Sequence, residues 1–322
     1  MKYLKSVLTM ITLLFISFEI LTESESILNA VTFSLTIFKE NIFPSLFPFF
    51  VLSSLLVKYG FVELIGNIFK RFMNNFFKIN SKCAFIFFMS IISGNPSNAK
   101  YTRELYLNGD INKYEATKIL SYSCFTNPLF ILGTVSTLLG NKKVGLIILI
   151  CHYLSNIIIG FLLRSYHPSK KEEKTNLKNS IIKMHEKRIS NKETFGEIIT
   201  NSLTESINTL LLIMGVITIS LVLTTIIGKN ISLNSTLQSI LNGFIEMTQG
   251  LKYISLENIS LKLKAALSSM IISFGGLSIH MQIMSILSDT DIKYFPFLIS
   301  RLASSLISSI LSFFLFDFWI NL

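Results

Sequence analysis

The chain has 322 residues, half of them hydrophobic and only 15% charged, with a mean hydropathy of +0.57. A soluble domain of this size needs more polar surface, so the composition marks an integral membrane protein. The formal net charge is +10, but the positive side chains collect in short stretches between apolar runs, which is the pattern of topology signals and not of a nucleic-acid surface.

In chain order, Lys2 and Lys5 precede an apolar stretch to Leu21, and Glu19, Glu23 and Glu25 stand where a small-residue cleavage site belongs. Residues 1–26 therefore read as an uncleaved signal anchor and not as a removed signal peptide. Ile27 to Val57 begins amphipathic and turns apolar, with a proline kink expected at Pro44 and Pro48. Lys58 to Lys82 mixes Lys70, Arg71, Lys78 and Lys82 with phenylalanines, as a connector helix at the membrane surface does. Cys83 to Ile92 is apolar but far short of the about 20 residues that a crossing takes, so it reads as one arm of a re-entrant hairpin tipped at Gly94. The returning arm, Ser97 to Asn108, carries Lys100, Arg103 and Glu104, charges that lipid rejects.

Glu115 to Leu139 and Val144 to Leu163 read as two spans, the first broken at Asn127-Pro128. Arg164 to Lys192 is solvated and strongly basic, hence cytosolic. Glu197 to Ile227 repeats the plan of Ile27 to Val57, and Leu237 to Ile254 reads as a second interfacial helix. Leu261 to Phe274 is a second short arm, with Gly275-Gly276 as its tip and Ser278 to Ser288 as its return, and Phe295 to Trp319 is the last span. The predicted organisation is an anchor (1–26), a first repeat (27–164), a basic loop (165–192) and a second repeat (193–322).

A shift of 181 positions places Gly94 on Gly275, Ser97 on Ser278, Ala84 on Ala265, Met89 on Met270 and Asp110 on Asp291 without a gap. Two corresponding apolar segments broken by Gly, Pro and Ser point to the binding site of a carrier built from repeats. Backbone groups freed by such breaks are tolerated in lipid only where protein, water or a ligand meets them. Three crossings between the tips make the repeats inverted. The predicted fold is therefore an all-α integral membrane protein of two inverted repeats with re-entrant or discontinuous helices.

Helix N-termini at Ser97 and Ser278 attract anions, and both serines are placed to cap them. Gly94, Asn95, Ser97, Asn98, Lys100, Asn127, Gly275, Gly276, Ser278 and His280 form the predicted substrate site. The bland reading of the glycines is close helix packing, and that of His280 a hydrogen-bonded structural role. Arg103, Glu205, Asp110 and Asp291 rank second, with Glu40 beside Glu205; turn anchoring is the better reading for the two aspartates. Arg301 needs a partner, Asp289 or Asp291, and His152 and His167 carry no assigned role. Cys83, Cys124 and Cys151 read as small buried hydrophobes without metal-ligand spacing. No catalytic, phosphate-binding or cofactor motif occurs, so an enzyme is not expected, and transport runs on a gradient or on substrate trapping. The expected partners are the bilayer and a small anion, without nucleic acid; a homo-oligomer is left open.

The stretches Ser93 to Lys100, Thr126 to Ile131, Glu246 to Gly250, Ser273 to His280, Pro44 to Phe49 and Ser285 to Asp291 resemble the YlbJ (SpoVV) family of sporulation membrane proteins, whose members carry nucleoside recognition, or gate, domains. The resemblance covers nearly the whole chain except the basic central loop. It implies a fold similar to concentrative nucleoside transporters and transport of dipicolinic acid from the mother cell across the outer forespore membrane. Asn98 departs from the family pattern, which has glycine there, and implies an altered tip or specificity. A nucleoside carrier, in which Lys100 and Arg103 matter little, and a non-transporting scaffold acting through the basic loop are the alternatives.

Overall fold

The computed structural model describes residues 2–169, 177–190, 193–231 and 233–320, and every regular element among them is helical. Lys170, Lys171, Lys174 and Lys192 of the basic loop lie outside the described residues. The first helices are α1 (Lys2–Thr22), α2 (Ser24–Ile37), a π turn (Phe38–Ile42), α3 (Phe43–Lys58) and α4 (Phe61–Ile68). After a short helical stretch at 70–77 come α5 (Cys83–Ser93), α6 (Ser97–Leu107) and α7 (Lys113–Tyr122), then a second π turn (Phe130–Val135). The remaining helices are α8 (Lys142–Leu162), α9 (Leu177–Ser190), α10 (Phe195–Asn230), α11 (Ser235–Ile245), α12 (Met247–Leu256), α13 (Leu261–Phe274), α14 (Gly276–Ile286) and α15 (Tyr294–Ile320).

Among the described residues, five helical runs are long and apolar enough to cross a bilayer: Tyr3–Thr22, Lys142–Ser165, Phe195–Asn230, Leu261–Ile286 and Tyr294–Ile320. A sixth is the pair Ser24–Ile42 and Leu46–Lys58, bent by 53° where the π turn meets Pro44. Local chemistry sets several starts. Asn112 accepts from the backbone N–H of Tyr114 and Glu115 while Glu115 accepts from Asn112, a capping box that opens α7. Thr194 and Glu197 do the same for α10.

The two predicted breaks are present, but they differ in kind. At the first, Gly94 (φ 82°) and Asn95-Pro96 turn the chain back, and α5 and α6 pack against each other. At the second, only Gly275 separates α13 from α14, and the pair forms one run of 26 residues of membrane-spanning length. The expected second hairpin is thus a broken span: the segment lacks the extra turn residues that reverse the chain at 94–96. Glu115 to Leu139 is likewise not one span. It ends as a helix at Tyr122 and runs non-helically through 123–127 before the second π turn, so the count of three continuous crossings between the tips does not stand. Leu237 to Ile254 divides at Glu246 into α11 and α12.

α15 packs along α13, α8 and α7, and binds the two halves of the chain into one body. One buried apolar cluster joins Ala99, Leu120 and Cys151 to Ile271, Ile283 and Phe297. The packed face of α15 is a run of small polar residues: Ser300, Ser304, Ser305, Ser308 and Ser312 are all buried, and Ser304 bonds Ser155 of α8 at 2.7 Å. Small residues at this seam let helices approach where lipid supplies no hydrophobic drive between them. All three cysteines are buried, as their apolar surroundings imply. At one end of the molecule α4 packs on α9, so the basic connector and the basic loop meet, in keeping with one shared side of the membrane.

The crossing of α11 on α12 is tight: a Cβ on Gly250 lies 2.1 Å from the Gly243 Cα. Gly250→Ala is expected to destabilise the protein by about 1–3 kcal/mol, whereas Gly133→Ala, with open space at its Cβ position, leaves stability unchanged. Thermal unfolding of the purified variants in detergent measures both, and equal midpoints contradict the packing argument.

Candidate functional site

A cavity of ≈ 330 Å³ lies where the breaks meet. Its walls come from the π turn after α2, the first tip, the segment 126–134, α10, the α11–α12 junction and the start of α14. Three of the predicted site residues line it (Asn95, Asn127 and Ser278), and so does Glu40. Residues that the sequence reading passed over line it too: Asn41, Thr126, Thr134, Glu246, Thr248 and Gln282. Two π turns contribute Glu40, Asn41, Phe130 and Thr134, in line with the tendency of such turns to sit at functional sites.

The first tip is held by Asn127. Its Nδ2 donates to the Ser93 carbonyl at 3.2 Å, and its Oδ1 accepts from the Leu129 N–H at 2.7 Å. A Cβ on Gly94 falls 2.5 Å from the Asn127 nitrogen, so the tip requires glycine for contact as well as for its positive φ. Asn95 presents both amide atoms, buried and without a hydrogen-bond partner among the described residues. Thr126 is 4% exposed, and its Oγ1 is likewise unpaired. Its backbone N–H is given to His152 Nε2 at 3.0 Å, so His152 carries its proton on Nδ1 and donates it to Ser273 Oγ at 2.8 Å. His152, which the sequence left without a role, thus ties the extended segment before Asn127 to the end of α13.

Glu246 forms the wall opposite the first tip. It is 3% exposed and caps α12 by accepting from the Gln249 N–H at 2.8 Å. Gly276 packs there: a Cβ lies 3.1 Å from the Met247 nitrogen and 3.2 Å from the Ile245 carbonyl. The second break and the α11–α12 break are thereby pressed together, which brings Ser278 beside Glu246. An acid flanked by Ile245 and Met247, with a capping pattern to Gln249, was the available signal for this residue.

The other predicted site residues lie elsewhere. Pro96 and Gly275 hold the cap positions of α6 and α14, and neither serine caps. Ser97 Oγ bonds Ser93 Oγ at 2.6 Å and the Gly94 carbonyl, which closes the turn from inside. Asn98 is fully buried and reaches the Leu120 carbonyl at 3.5 Å. Lys100 points away from the cavity, donating to the Phe50 carbonyl and to Ser206 Oγ, each at 3.2 Å. Arg103 clamps Asp289, with Nε to Oδ1 at 2.8 Å. Asp110 is shared by Lys82 at 2.8 Å and Lys187 at 2.7 Å. Asp291 takes Lys113 at 2.6 Å and the Tyr106 hydroxyl, which hold its carboxyl below the usual range. Both aspartates are anchors. Glu205 is exposed on α10, outside the cavity wall. His280 Nε2 donates to the Phe274 carbonyl at 3.1 Å and its Nδ1 accepts from the Tyr294 hydroxyl at 2.8 Å, so it closes the end of α13.

Arg301 has neither of its expected partners, because Asp289 and Asp291 are taken at the exposed edge. It is completely buried and donates to the Ser121 carbonyl at 2.7 Å, Asn156 Oδ1 at 2.7 Å, the Cys124 carbonyl at 3.3 Å and the Ser273 carbonyl at 3.4 Å. These carbonyls belong to the last turns of α7 and α13 and to the segment after α7, where helix dipoles place negative charge. A lysine ammonium cannot span acceptors on so many elements. Arg301→Lys is expected to cost about 3 kcal/mol or more, at 1.5–3 per lost charged hydrogen bond, visible as a lower detergent melting temperature; an unchanged midpoint contradicts the clamp.

Residues 40–163 match the family described as Gate, nucleoside recognition. The chain is also 31% identical over 326 residues to the sporulation integral membrane protein YlbJ of Bacillus subtilis (strain 168), a match that covers 92% of this chain and 79% of the relative. With its membrane-length helices and paired breaks around one cavity, the chain belongs to the YlbJ family of sporulation integral membrane proteins.

Proposed function

We propose that the protein is a membrane carrier for a small polar organic solute in sporulation, and that this solute is dipicolinic acid, moved from the mother cell across the outer forespore membrane. The observation that carries the reading is the ≈ 330 Å³ cavity at the meeting point of the helix breaks, lined by three amides of asparagine, one of glutamine, four hydroxyls and two carboxylates. That volume suits one substituted ring and falls in the range of ligand pockets. Family membership supports the sporulation context, and two interrupted apolar segments meeting at one cavity support a carrier-like site.

The lining changes how an anion is to be held. Lys100 and Arg103 are not among its lining residues, and Glu40 and Glu246 are its only charged members among the described residues. A dianion beside two carboxylates is repelled, and the repulsion is strong away from bulk water. The solute therefore enters with its charge cancelled by protons, on its own carboxyls or on the glutamates. Its oxygens then accept from Thr126, Ser278 and the amides, and the first turn of α14 adds free N–H groups.

Uptake of labelled dipicolinate into liposomes holding the purified protein tests this. Asn95→Ala and Gln282→Ala are each expected to lower uptake about tenfold, the loss of one to two hydrogen bonds; wild-type rates in both variants refute the site. The lining has no basic side chain among the described residues, which also favours a second reading, a nucleoside-type carrier for an uncharged solute. Labelled uridine in the same liposomes distinguishes the two: transport of uridine without dipicolinate decides for the second, and transport of neither leaves the scaffold.

A further inference from the structure

A second polar region lies off the cavity, on the arm that carries the first tip. Lys100 of α6 is 7% exposed and sits over the Phe50 ring at 4.8 Å, bonded to Phe50 and Ser206 and not to an acid. One turn further along α6, the Glu104 carboxylate has a buried Oε2 without a hydrogen-bond partner among the described residues. On the two helices that Lys100 bonds, the hydroxyls of Ser54, four residues after Phe50 on α3, and Ser202, four before Ser206 on α10, are completely buried and without a hydrogen-bond partner among the described residues. From there a chain of hydroxyls runs to the tip: Tyr101 donates to Ser93 at 3.1 Å, Ser93 and Ser97 are 2.6 Å apart, and Ser97 reaches the Gly94 carbonyl. At its other end α6 runs into Asp110 with its two lysines. Unpaired charge and unpaired hydroxyls at this depth are costly, and a protein core retains them where they carry something.

We propose that Glu104 is the site at which the carrier loads a coupling proton, an inference that rests on the transport reading above. The proton comes from water at the basic end of the molecule and adds to the free carboxylate oxygen. Among the described residues, the charged groups that face Glu104 are Lys100 and Arg103 on its own helix, Glu205 on α10, Lys58 at the end of α3 and Lys187 on α9. Ionised Glu104 draws α6 toward Lys58 of α3 and Lys187 of α9 and is repelled by Glu205 of α10. Protonation removes those attractions and that repulsion together, and frees the arm to shift toward α10 with its tip. The same proton adds one positive charge to the transport cycle for each solute carried.

The test uses the full-length protein in liposomes with an imposed pH gradient. One proton per solute gives about tenfold accumulation of labelled dipicolinate or uridine, whichever is carried, per pH unit in the wild type. Glu104→Gln is expected to equilibrate and exchange labelled solute but not to accumulate it, while Glu104→Asp, which keeps a titrating carboxyl, accumulates. A trapped pH dye in wild-type liposomes is expected to report protons entering with solute, independently of any variant. Accumulation by Glu104→Gln at the wild-type level, loss of exchange together with accumulation in a folded Glu104→Gln, or no dye response during wild-type transport each overturn the proposal while the carrier reading stands. Absence of exchange in the wild type overturns the carrier reading, and the proton site with it.

Discussion

Backbone carbonyls released by a helix break have no water to bind inside a bilayer, and in this protein one side chain takes up those of two different breaks. Arg301 gathers the ends of α7 and α13 together with Asn156 of α8. A buried guanidinium without a carboxylate is unusual, because the desolvation of its charge is large. Here the acceptors are the negative ends of two helices plus an amide, so the charge is met by dipoles spread over several elements. His152 performs the neutral version of the same task, joining Thr126 to Ser273. With both clamps in place, the extended segment 123–127 and the second break are held side by side, and the cavity forms in front of them.

The cavity follows from how three interruptions pack. The first tip seats on Asn127 because Gly94 leaves no side chain between them, and the second seats on the α11–α12 junction because Gly276 leaves none there. The prolines and the first π turn bend the α2–α3 span across the opening, and this brings Glu40 and Asn41 to it. What results is a hydrogen-bonding, acidic chamber flanked by apolar walls from Ile213, Ile217 and Ile279. Its chemistry favours a solute that arrives uncharged or is made so by protons, and the charged seam along α6 lies one helix face away from it.

The periodic apolar runs, the interruptions at Gly94 and Gly275, the kink at Pro44 and the basic segments were all legible in the chain, since each rests on local chemistry: hydropathy over a helix length, glycine at positive φ, proline geometry and charge next to a span. The roles of the polar residues were less legible. Lys100 and Arg103 follow the first tip in sequence, yet they lie three residues apart on a helix of 3.6 per turn and face different neighbours, α10 for one and Asp289 for the other. Glu246 read as part of a surface helix because nothing in its own segment shows that a second break packs onto it. Asp110 and Asp291, equivalent by register, are both anchors but hold different partners.

By itself, then, the sequence determined that this is a helical membrane protein with two matching interruptions, because hydropathy and backbone punctuation act over a few neighbouring residues. Only the tertiary structure decided that one interruption folds back while the other continues as a single run of membrane-spanning length, that Arg301 binds carbonyls instead of an aspartate, and that carboxylates and amides line the cavity instead of lysine and arginine. Each of these depends on which helix face meets which neighbour across long stretches of chain, and side-chain partners at that distance are set by packing and not by spacing.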